Sequence, residues 1–283
     1  MRLLPLCAVL ISLPVVCRPD FGWAQKTGLT REMHPWARFD KGAWRRFQVV
    51  TESFDERGTV ANTSVTETRT TLEDVSADGV TLRVEAVVQV AGKERDAEPQ
   101  IIKQGFHGEL ANGNLAVRDL GTAELAIDGR RIPCKVEQLE TTGPHSKTTT
   151  KVYYSTSLAP YVLKREGVTT DLDGTELTRS THSVLSLDRP CDILRRRKRA
   201  AHLETVLSHP KGTIVTRAFT SADVPGGVIC HTCEERDANG RLVRRSTLRL
   251  VAYGLAPDDE QSFEVRRVPR RGVKGHRVSP YRD

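Results

Sequence analysis

The sequence predicts an all-β protein, an antiparallel meander that forms a half-barrel or stacked sheets. Three observations support this fold class: a long strand with regular alternation, closely spaced turn dipeptides, and few segments with helical periodicity. The clearest strand is Val80–Val90, where apolar residues at even positions alternate with mainly polar ones at odd positions. A period of two is typical of a half-buried antiparallel strand. Short helical pieces are expected only near residues 30–39 and 257–263.

Glycine-containing turn dipeptides separate the apolar runs. Asp-Gly and Asn-Gly favour tight hairpins because both central residues of such turns take positive φ values. The dipeptides with this role are Arg57-Gly58, Asp78-Gly79, Asn112-Gly113, Asp128-Gly129, Asp173-Gly174 and Asn239-Gly240. Their number favours a meander of short connections.

The chain also contains an internal repeat with a period of roughly 66 residues, and a fixed period is the signature of a repeat architecture. We call a shift of this length the repeat offset. It aligns Lys147–Leu187 with Thr213–Tyr253 without a gap, and it aligns the turn residues Asp171 and Gly174 with Asp237 and Gly240. Each unit is predicted to contain about four strands and to continue one sheet or stack on its neighbour, because a single unit does not bury its apolar face.

The predicted organisation has five parts. Residues 1–24 form a signal peptide, and residues 25–125 form an N-terminal β-sheet region. Residues 126–191 and 192–260 are the first and second repeat units. Residues 261–283 are predicted to be a basic, flexible tail.

One element of the second unit resembles uncharacterised exported bacterial β-repeat proteins. It is a strand that ends in an aromatic residue and a serine, followed by a Val-Pro-Gly-Gly-Val turn, and it covers Arg217–Val228. More distantly, the units are similar to strands of the half-barrel fold of periplasmic lipoprotein-sorting carriers. The first unit departs from the element, with Ala159-Pro160-Tyr161 in place of Pro225-Gly226-Gly227. The carrier similarity implies an apolar ligand held on the concave face of the sheet.

The start of the chain, up to Ala24, has the three parts of a secretory signal. Arg2 precedes a mainly apolar run that ends at Cys17, and small residues at Gly22 and Ala24 fit cleavage after Ala24. A membrane anchor needs about 20 apolar residues, and Arg18 interrupts this run earlier. We therefore expect export to the periplasm, the cell envelope or the extracellular space, with no transmembrane segment in the mature chain.

The net charge of +7 is concentrated in two short stretches, the run Arg195–Arg199 and the tail from Gln261. Candidate contacts to an anionic partner in these stretches are Arg195, Arg196, Arg197, Lys198, Arg199, Arg266, Arg267, Arg270 and Arg271. Such runs are typical of solvated segments, of protease-sensitive linkers, or of sites that adhere to an anionic envelope polymer or nucleic acid. Because the rest of the chain is net acidic, specific nucleic-acid binding is not expected. A protein partner stays an alternative.

Four cysteines lie outside the predicted signal: Cys134, Cys191, Cys230 and Cys233. An even number of cysteines in an exported chain favours disulfides, with free or redox-active thiols and a metal site as alternatives. Cys230 and Cys233 are about 10 Å apart in an extended strand, beyond the roughly 7 Å that a disulfide spans. Either these two lie in a local turn, or each pairs elsewhere, with Cys134 and Cys191 as the available partners.

The sequence contains no other motif that predicts catalysis or a cofactor. A phosphate-binding loop and a dinucleotide fingerprint are both missing. Carboxylates at Asp171, Asp173 and Asp237 fall at hairpin turns, where turn chemistry explains them, and calcium would need more oxygen ligands. The aromatic residues Trp36 and Trp44 are expected to pack over one end of the sheet, with a binding platform as the alternative.

These patterns predict a non-enzymatic secreted or cell-envelope protein that acts through a binding surface. A first alternative is a carrier of an apolar ligand on the concave face of a β half-barrel. A second alternative is a redox or hydrolytic enzyme that uses Cys230 and Cys233. No catalytic residue, cofactor or metal ligand is assigned.

Overall fold

The computed structural model describes residues 28–90, 93–109 and 115–255. A single turn of 3-10 helix, Arg31–Met33, precedes the strands. The strands are β1 Trp44–Phe54, β2 Val60–Val75, β3 Gly79–Val90, β4 Lys93–Gly105, β5 Leu115–Ile127, β6 Arg130–Thr142, β7 Ser146–Tyr154, β8 Val162–Asp171, β9 Glu176–Ile193, β10 Arg196–His209, β11 Gly212–Thr220, β12 Val228–Asp237 and β13 Leu242–Gly254. The predicted all-β class is confirmed.

All thirteen of these strands belong to one antiparallel sheet, in the order β4-β3-β2-β1-β13-β12-β11-β10-β9-β8-β7-β6-β5. Each strand pairs with its neighbour in the chain, except that β1 pairs with β13 and β4 does not pair with β5. The predicted meander is therefore confirmed, whereas the alternative of stacked sheets is wrong. The N-terminal strands β1–β4 belong to the same sheet as the later strands, because β1 is hydrogen-bonded to β13.

Most predicted turns join consecutive strands. The strand predicted at Val80–Val90 is β3, which follows Asp78-Gly79, and Asp128-Gly129 joins β5 to β6. Both residues of the second turn have positive φ values, 52° and 71°, which is the geometry of a type I′ hairpin turn. Asn112-Gly113 lies outside the described residues.

Strands β6–β9 and β10–β13 are two consecutive sets of four that match at the repeat offset. The first set begins at Arg130 and the second at Arg196, and β7 and β8 match β11 and β12 residue for residue. The turns that begin at Asp171 and Asp237 also have the same backbone hydrogen bonds. In each, the aspartate carbonyl accepts from the N–H three residues later, and the aspartate N–H donates to the carbonyl four residues later. A third turn of this form occurs between β1 and β2, at Asp55.

The sheet is strongly curved around the segment that precedes β1. Leu29 packs with Val152 of β7, and Trp36 packs with Leu72 of β2. In a flat sheet β2 and β7 would be about 38 Å apart, yet the seven residues from Leu29 to Trp36 span at most about 25 Å. The sheet must therefore curl around residues 28–43, which occupy its concave face.

The sheet has two edge strands, β4 and β5, and β4 carries mainly polar side chains. β4 carries charged residues along most of Lys93–Glu98, followed by Pro99 beside an irregularity in its pairing with β3. Charges, proline and bulges at an edge strand oppose the addition of further strands. The half-barrel is thus left open between β4 and β5, and its β4 edge disfavours the addition of further strands.

Candidate functional site

The predicted basic run forms the tip of the hairpin between β9 and β10. Ile193 pairs with Arg196, and the two turn residues Leu194 and Arg195 have φ values of 47° and 70°. These values fit a tight two-residue hairpin turn. The run is therefore part of an ordered hairpin, and the linker hypothesis finds no support in this geometry. We refer to residues 188–200 as the basic hairpin.

The basic hairpin is attached to the sheet by buried apolar side chains. Ile193 and Ala200 are each 2% exposed and pack with Val224 and Ile229 near the start of β12. Lys198 adds a contact to the same region, with its Nζ 2.5 Å from a carboxylate oxygen of Asp223. These contacts hold the basic hairpin over the β11–β12 loop.

Three arginines of the basic hairpin are exposed and not engaged by acidic side chains. Among the described residues, no ion pair involves Arg195, Arg196 or Arg197. Arg199 shares Asp188 with Arg130, at nitrogen–oxygen distances of 3.6 and 3.3 Å. An uncompensated cluster of arginines on a fixed tip is a favourable site for an anion, because guanidinium groups bind phosphate and carboxylate in two-pronged geometry.

The remaining candidate contacts in the C-terminal tail, Arg266, Arg267, Arg270 and Arg271, lie outside the described residues. The predicted signal peptide and its cleavage site do so too.

A cavity of about 250 Å³ lies beside the basic hairpin. Its walls come from the segment before β1, the β7–β8 loop, the β11–β12 loop and the base of the basic hairpin. They include Met33, Pro35, Arg38, Pro160, Tyr161, Leu187, Asp188, Arg199, Ser221 and Asp223. Ligand pockets usually measure about 300–1,000 Å³ and are mainly apolar. This cavity is smaller and has charged walls, so it fits a side chain or an anionic group better than a lipid.

The two loops at the cavity are equivalent at the repeat offset and fold alike. In each, the serine N–H donates to a carbonyl six residues ahead, from Ser155 to Tyr161 (2.8 Å) and from Ser221 to Gly227 (2.7 Å). Tyr161 and Gly227 also share a positive φ, 66° and 77°. The chain therefore forms the same loop from different residues, with an aromatic ring on one side of the cavity and bare backbone on the other.

A buried polar network lies further inside the concave face, around Glu137 of β6. Its carboxylate accepts hydrogen bonds from the Gly28 N–H (2.9 Å), the Tyr154 hydroxyl (2.9 Å) and the His107 ring (3.4 Å). Burial alone would raise the pKa of Glu137, but the hydrogen bonds from His107, Tyr154 and Gly28 outweigh it and hold the pKa below its ordinary value. The network links the first described residue of the chain to the sheet.

Two buried histidines face the same interior. Burial, with a smaller contribution from the charge of Arg165, lowers the pKa of His34 and of His182 to about 4. His34 Nδ1 accepts hydrogen bonds from the Trp36 and Ala37 N–H groups, at 3.3 and 3.1 Å. Both side chains are therefore neutral near pH 7 and serve to hold the interior together.

Arg45 of β1 is buried between the N-terminal segment and the β11–β12 loop. Its guanidinium lies over the rings of Trp36 and Phe47, at 4.8 and 4.6 Å, and donates to the Pro225 carbonyl at 3.2 Å. Burial lowers its pKa to about 9. Of the predicted aromatic group, Trp36 and Phe47 therefore pack around this arginine, whereas the Trp44 ring lies 4.7 Å from the Arg69 guanidinium.

The four described cysteines are free thiols. Cys191 and Cys230 lie together in the cluster that anchors the basic hairpin, close enough for their thiols to interact. Cys134 is buried in a different cluster, and Cys233 lies on β12 three residues from Cys230. Because β12 is continuous from Val228 to Asp237, the predicted alternative of a local turn around Cys230 and Cys233 is wrong.

The acidic residues of the hairpin turns hold the turns themselves. Asp171 Oδ1 accepts from the Asp173 and Thr175 N–H groups, and Asp237 Oδ1 accepts from the Asn239 and Arg241 N–H groups, all at 2.7–3.0 Å. Across the described ranges no group of three or more His, Cys, Asp or Glu side chains is placed to hold a metal ion. Over the same ranges, none of the helices has the length and apolarity needed to cross a membrane.

Comparisons with known proteins give weak structural similarity only. A candidate lipoprotein of Parabacteroides distasonis is 12% identical, with a TM-score of 0.32 over 78% of this chain and 98% of the other. A candidate exported protein of Bacteroides fragilis with a YmcC-like fold is 9% identical, with a TM-score of 0.28 over 76% and 97%. MucB, solved in complex with periplasmic MucA, is 13% identical, with a TM-score of 0.15 over 74% and 88%.

TM-scores this low do not transfer a ligand or a partner to this chain. No family model matches the chain, and no curated protein matches it.

The sequence did not predict that the segment before β1 fills the concave face of the sheet. The signal for it was present in the aromatic group at Trp36 and Phe39, but their positions beside β2 and β3 depend on the curvature of the whole sheet. The pairing of β1 with β13 was missed for the same reason.

Proposed function

We propose that this is a non-enzymatic exported protein that binds an anionic envelope polymer through the basic hairpin. The observation that carries the proposal is the display of Arg195, Arg196 and Arg197, exposed and without acidic partners among the described residues, on a tip that buried Ile193 and Ala200 hold in place. A fixed array of arginines loses less side-chain and backbone freedom on binding than a mobile tail does.

The predicted export signal and the basic tail support the same proposal. A polymer with repeated negative charges would contact the basic hairpin and, through the tail arginines, a second site on the same chain. Two linked contacts raise the overall affinity above that of either one. The small cavity at the base of the basic hairpin, which Arg199 and Arg38 help to line, offers a place for one anionic group of the polymer.

The carrier alternative receives no comparable support. The concave face that would hold an apolar ligand is occupied between β2 and β7 by Leu29, Trp36 and Ala37, which are at most 4% exposed. The enzyme alternative would use Cys230 and Cys233, which are three residues apart on a straight strand and therefore point to opposite faces of the sheet.

The test is elution from an immobilised sulfated polysaccharide in a salt gradient. The variant Arg195→Gln/Arg196→Gln/Arg197→Gln is compared with Lys103→Gln/Arg118→Gln/Lys135→Gln, which removes the same charge from exposed positions on β4, β5 and β6. The proposal predicts a clearly larger drop in eluting salt for the first variant. Equal drops would show that only net charge matters and would overturn it.

A chain that ends at Phe263 separates the hairpin from the tail. We expect it to elute at lower salt than the full chain, and the hairpin substitutions to lower the elution further. If an acidic protein, but no anionic polymer, shows hairpin-dependent binding, the polymer is the wrong partner class.

A further inference from the structure

We propose that Cys191 and Cys230 form a disulfide that joins the basic hairpin to β12. The inference deepens the proposed function, since it names the bond that would hold the binding tip in place. The evidence for the bond is nevertheless independent of what the tip binds.

The two cysteines meet only because the basic hairpin folds over the sheet. β9 and β12 are separated by β10 and β11 in the sheet order, so that residues on them would be about 14 Å apart in a flat sheet. In the structure both cysteines pack against the buried residues Ile193, Ala200, Val224 and Ile229, close enough for their thiols to interact. A contact of this kind brings two sulfurs near the spacing from which a bond can form.

A second, separate contact joins the basic hairpin to the loop that leads into β12. Lys198 is the residue directly opposite Cys191 in the β9–β10 ladder. Its ammonium group lies 2.5 Å from the carboxylate of Asp223, in the loop that leads into β12. Both strands of the basic hairpin therefore contact the region around the start of β12, β9 through Cys191 and β10 through Lys198, and the meeting of Cys191 and Cys230 is part of a packed interface.

The other described cysteines are placed away from this pair. Cys233 is three residues from Cys230 on a continuous strand, about 10 Å away and on the opposite face. Cys134 is 3% exposed in another cluster, where its thiol lies 3.4 Å from the Ile132 carbonyl. Cys191 and Cys230 are thus the one pair of described cysteines that the fold brings into contact.

The repeat alignment also distinguishes Cys191 and Cys230 from the residues that the two units share. Cys230 corresponds to Lys164 of the first unit, and Cys191 lies beyond Asp188, the position in β9 that matches the last residue of β13. At the repeat offset, Cys191 corresponds to Pro257 and Cys230 to Lys164, so neither cysteine has a cysteine counterpart in the other unit.

The bond forms by thiol–disulfide exchange with a disulfide-bearing oxidant. One cysteine thiolate attacks the oxidant's S–S bond and releases one oxidant thiol, and the second cysteine thiolate then displaces the other. In total two S–H bonds lose two protons and two electrons, one S–S bond forms, and the oxidant is reduced to two thiols. Burial raises the pKa of both thiols, while Arg249 opposes this at Cys230, so oxidation should accelerate as the pH rises.

The direct test uses the folded chain oxidised with glutathione disulfide, digested with trypsin without reduction and analysed by mass spectrometry. Cys191 falls in the peptide Ser180–Arg195, because the Arg189–Pro190 bond resists trypsin, and Cys230 falls in Ala218–Arg236. These two peptides should be recovered as one linked species. Because Cys233 shares the second peptide, the variant Cys134→Ala/Cys233→Ser is oxidised in parallel and should give the same link. In a chain that starts at Gln25, which omits Cys7 and Cys17, this variant should retain no free thiol after oxidation.

Measurements of thermal stability and of proteolysis test the disulfide independently of the peptide analysis by mass spectrometry. The oxidised chain should unfold about 5–10 °C above the reduced chain. Cleavage by trypsin within Arg195–Arg199 should slow by at least about tenfold on oxidation, since opening of the hairpin is restricted. Cys191→Ser and Cys230→Ser should each abolish both differences.

Recovery of Cys191 unlinked after full oxidation, or linked to Cys134 or Cys233, would overturn the inference. The outcome is separable from the proposed function. If the two cysteines are linked but the arginine substitutions do not change retention on the polysaccharide, the disulfide is supported and the polymer-binding proposal is overturned. If the cysteines are not linked but retention depends on the hairpin arginines, polymer binding is supported and the disulfide is overturned.

Discussion

Strands β9 and β13 occupy equivalent places in the two sets of four strands, but β9 is longer. β13 ends at Gly254, whereas β9 passes the matching position, Asp188, and continues to Ile193. The candidate site is the basic hairpin, in which this extension pairs with the start of β10; it includes the basic run, the buried anchor and Cys191. The comparison teaches that the two sets share a scaffold of matched strands, and that the candidate site begins where β9 continues past the end of β13.

The N-terminal segment makes a second comparison between the units, because it touches both. At the first unit it is held by a titratable polar contact, from Gly28 to Glu137, beside the packing of Leu29 on Val152. At the second it is held by close packing, where the Gly226 N–H donates to the Pro35 carbonyl at 2.9 Å and Trp36 stacks under Arg45. The two contacts should therefore respond differently to substitution and to pH.

The largest effect is expected from Ile193→Ala, which breaks the anchor of the extension. Ile193 is 2% exposed, and truncation of a buried isoleucine costs about 3–4 kcal/mol of unfolding free energy. Leu194→Ala, at the adjacent residue that is 41% exposed, should cost less than about 0.5 kcal/mol. Urea denaturation measures both, and equal losses would show that the hairpin is not anchored through Ile193.

Gly226→Ala tests the packed contact between the N-terminal segment and the second unit. Gly226 has a φ of 72°, and an added methyl group would meet the Arg45 guanidinium and come within 2.7 Å of Trp36. The loss should be about 2–3 kcal/mol, from the backbone conformation and the overlap together.

The matched control is Gly240→Ala. Gly240 has a similar φ of 79° but open space around it, so that only the backbone cost of about 1 kcal/mol applies. If both variants lose the same stability, the close contact of the β11–β12 loop with Arg45 and Trp36 is refuted.

The interior should lose stability in mild acid because of His34 and His182. Burial lowers the pKa of each to about 4 from 6.5, so between these values the unfolded chain binds more protons than the folded one. The free energy of unfolding therefore falls as the pH drops from about 6.5 to about 4, by about 2 kcal/mol in total after allowance for partial exposure.

Denaturation curves at several pH values measure this slope. His182→Gln should reduce it, and the exposed His145→Gln should leave it in place. A slope that is unaffected by His182→Gln would contradict the burial of that ring between β9 and β10.

The smallest effect is expected from Glu137→Gln, which changes the polar contact at the first unit. Glutamine still accepts from the Gly28 N–H but loses the charge that strengthens three hydrogen bonds, a cost of about 1 kcal/mol above pH 5. Since the pKa of Glu137 is held low, the difference between variant and wild type should vanish as the pH falls through that lowered pKa. Glu124→Gln, on an exposed carboxylate, is the control.

The strands and the turns were predictable because their signals are local. Alternating residues in Val80–Val90 and the Asp-Gly dipeptides act within a few positions of the chain, and the repeat offset needs only the comparison of one segment with another. The curvature, the β1–β13 pairing and the position of residues 28–43 were not predictable, because they depend on contacts between distant parts of the chain. The basic hairpin shows both cases: its charge was visible in the sequence, but its anchoring by Ile193 depends on the β11–β12 loop.

The most direct test of the central claim is the salt dependence of polymer binding by the hairpin. Binding of a fluorescein-labelled sulfated polysaccharide is measured by anisotropy at several NaCl concentrations for wild type and for Arg195→Gln/Arg196→Gln/Arg197→Gln. Each charge neutralised in the complex adds roughly 0.7–0.9 to the slope of log K against log salt, so the variant should lose about 2 from that slope, together with affinity. A slope and an affinity equal to those of wild type would contradict the claim that the basic hairpin is the binding site.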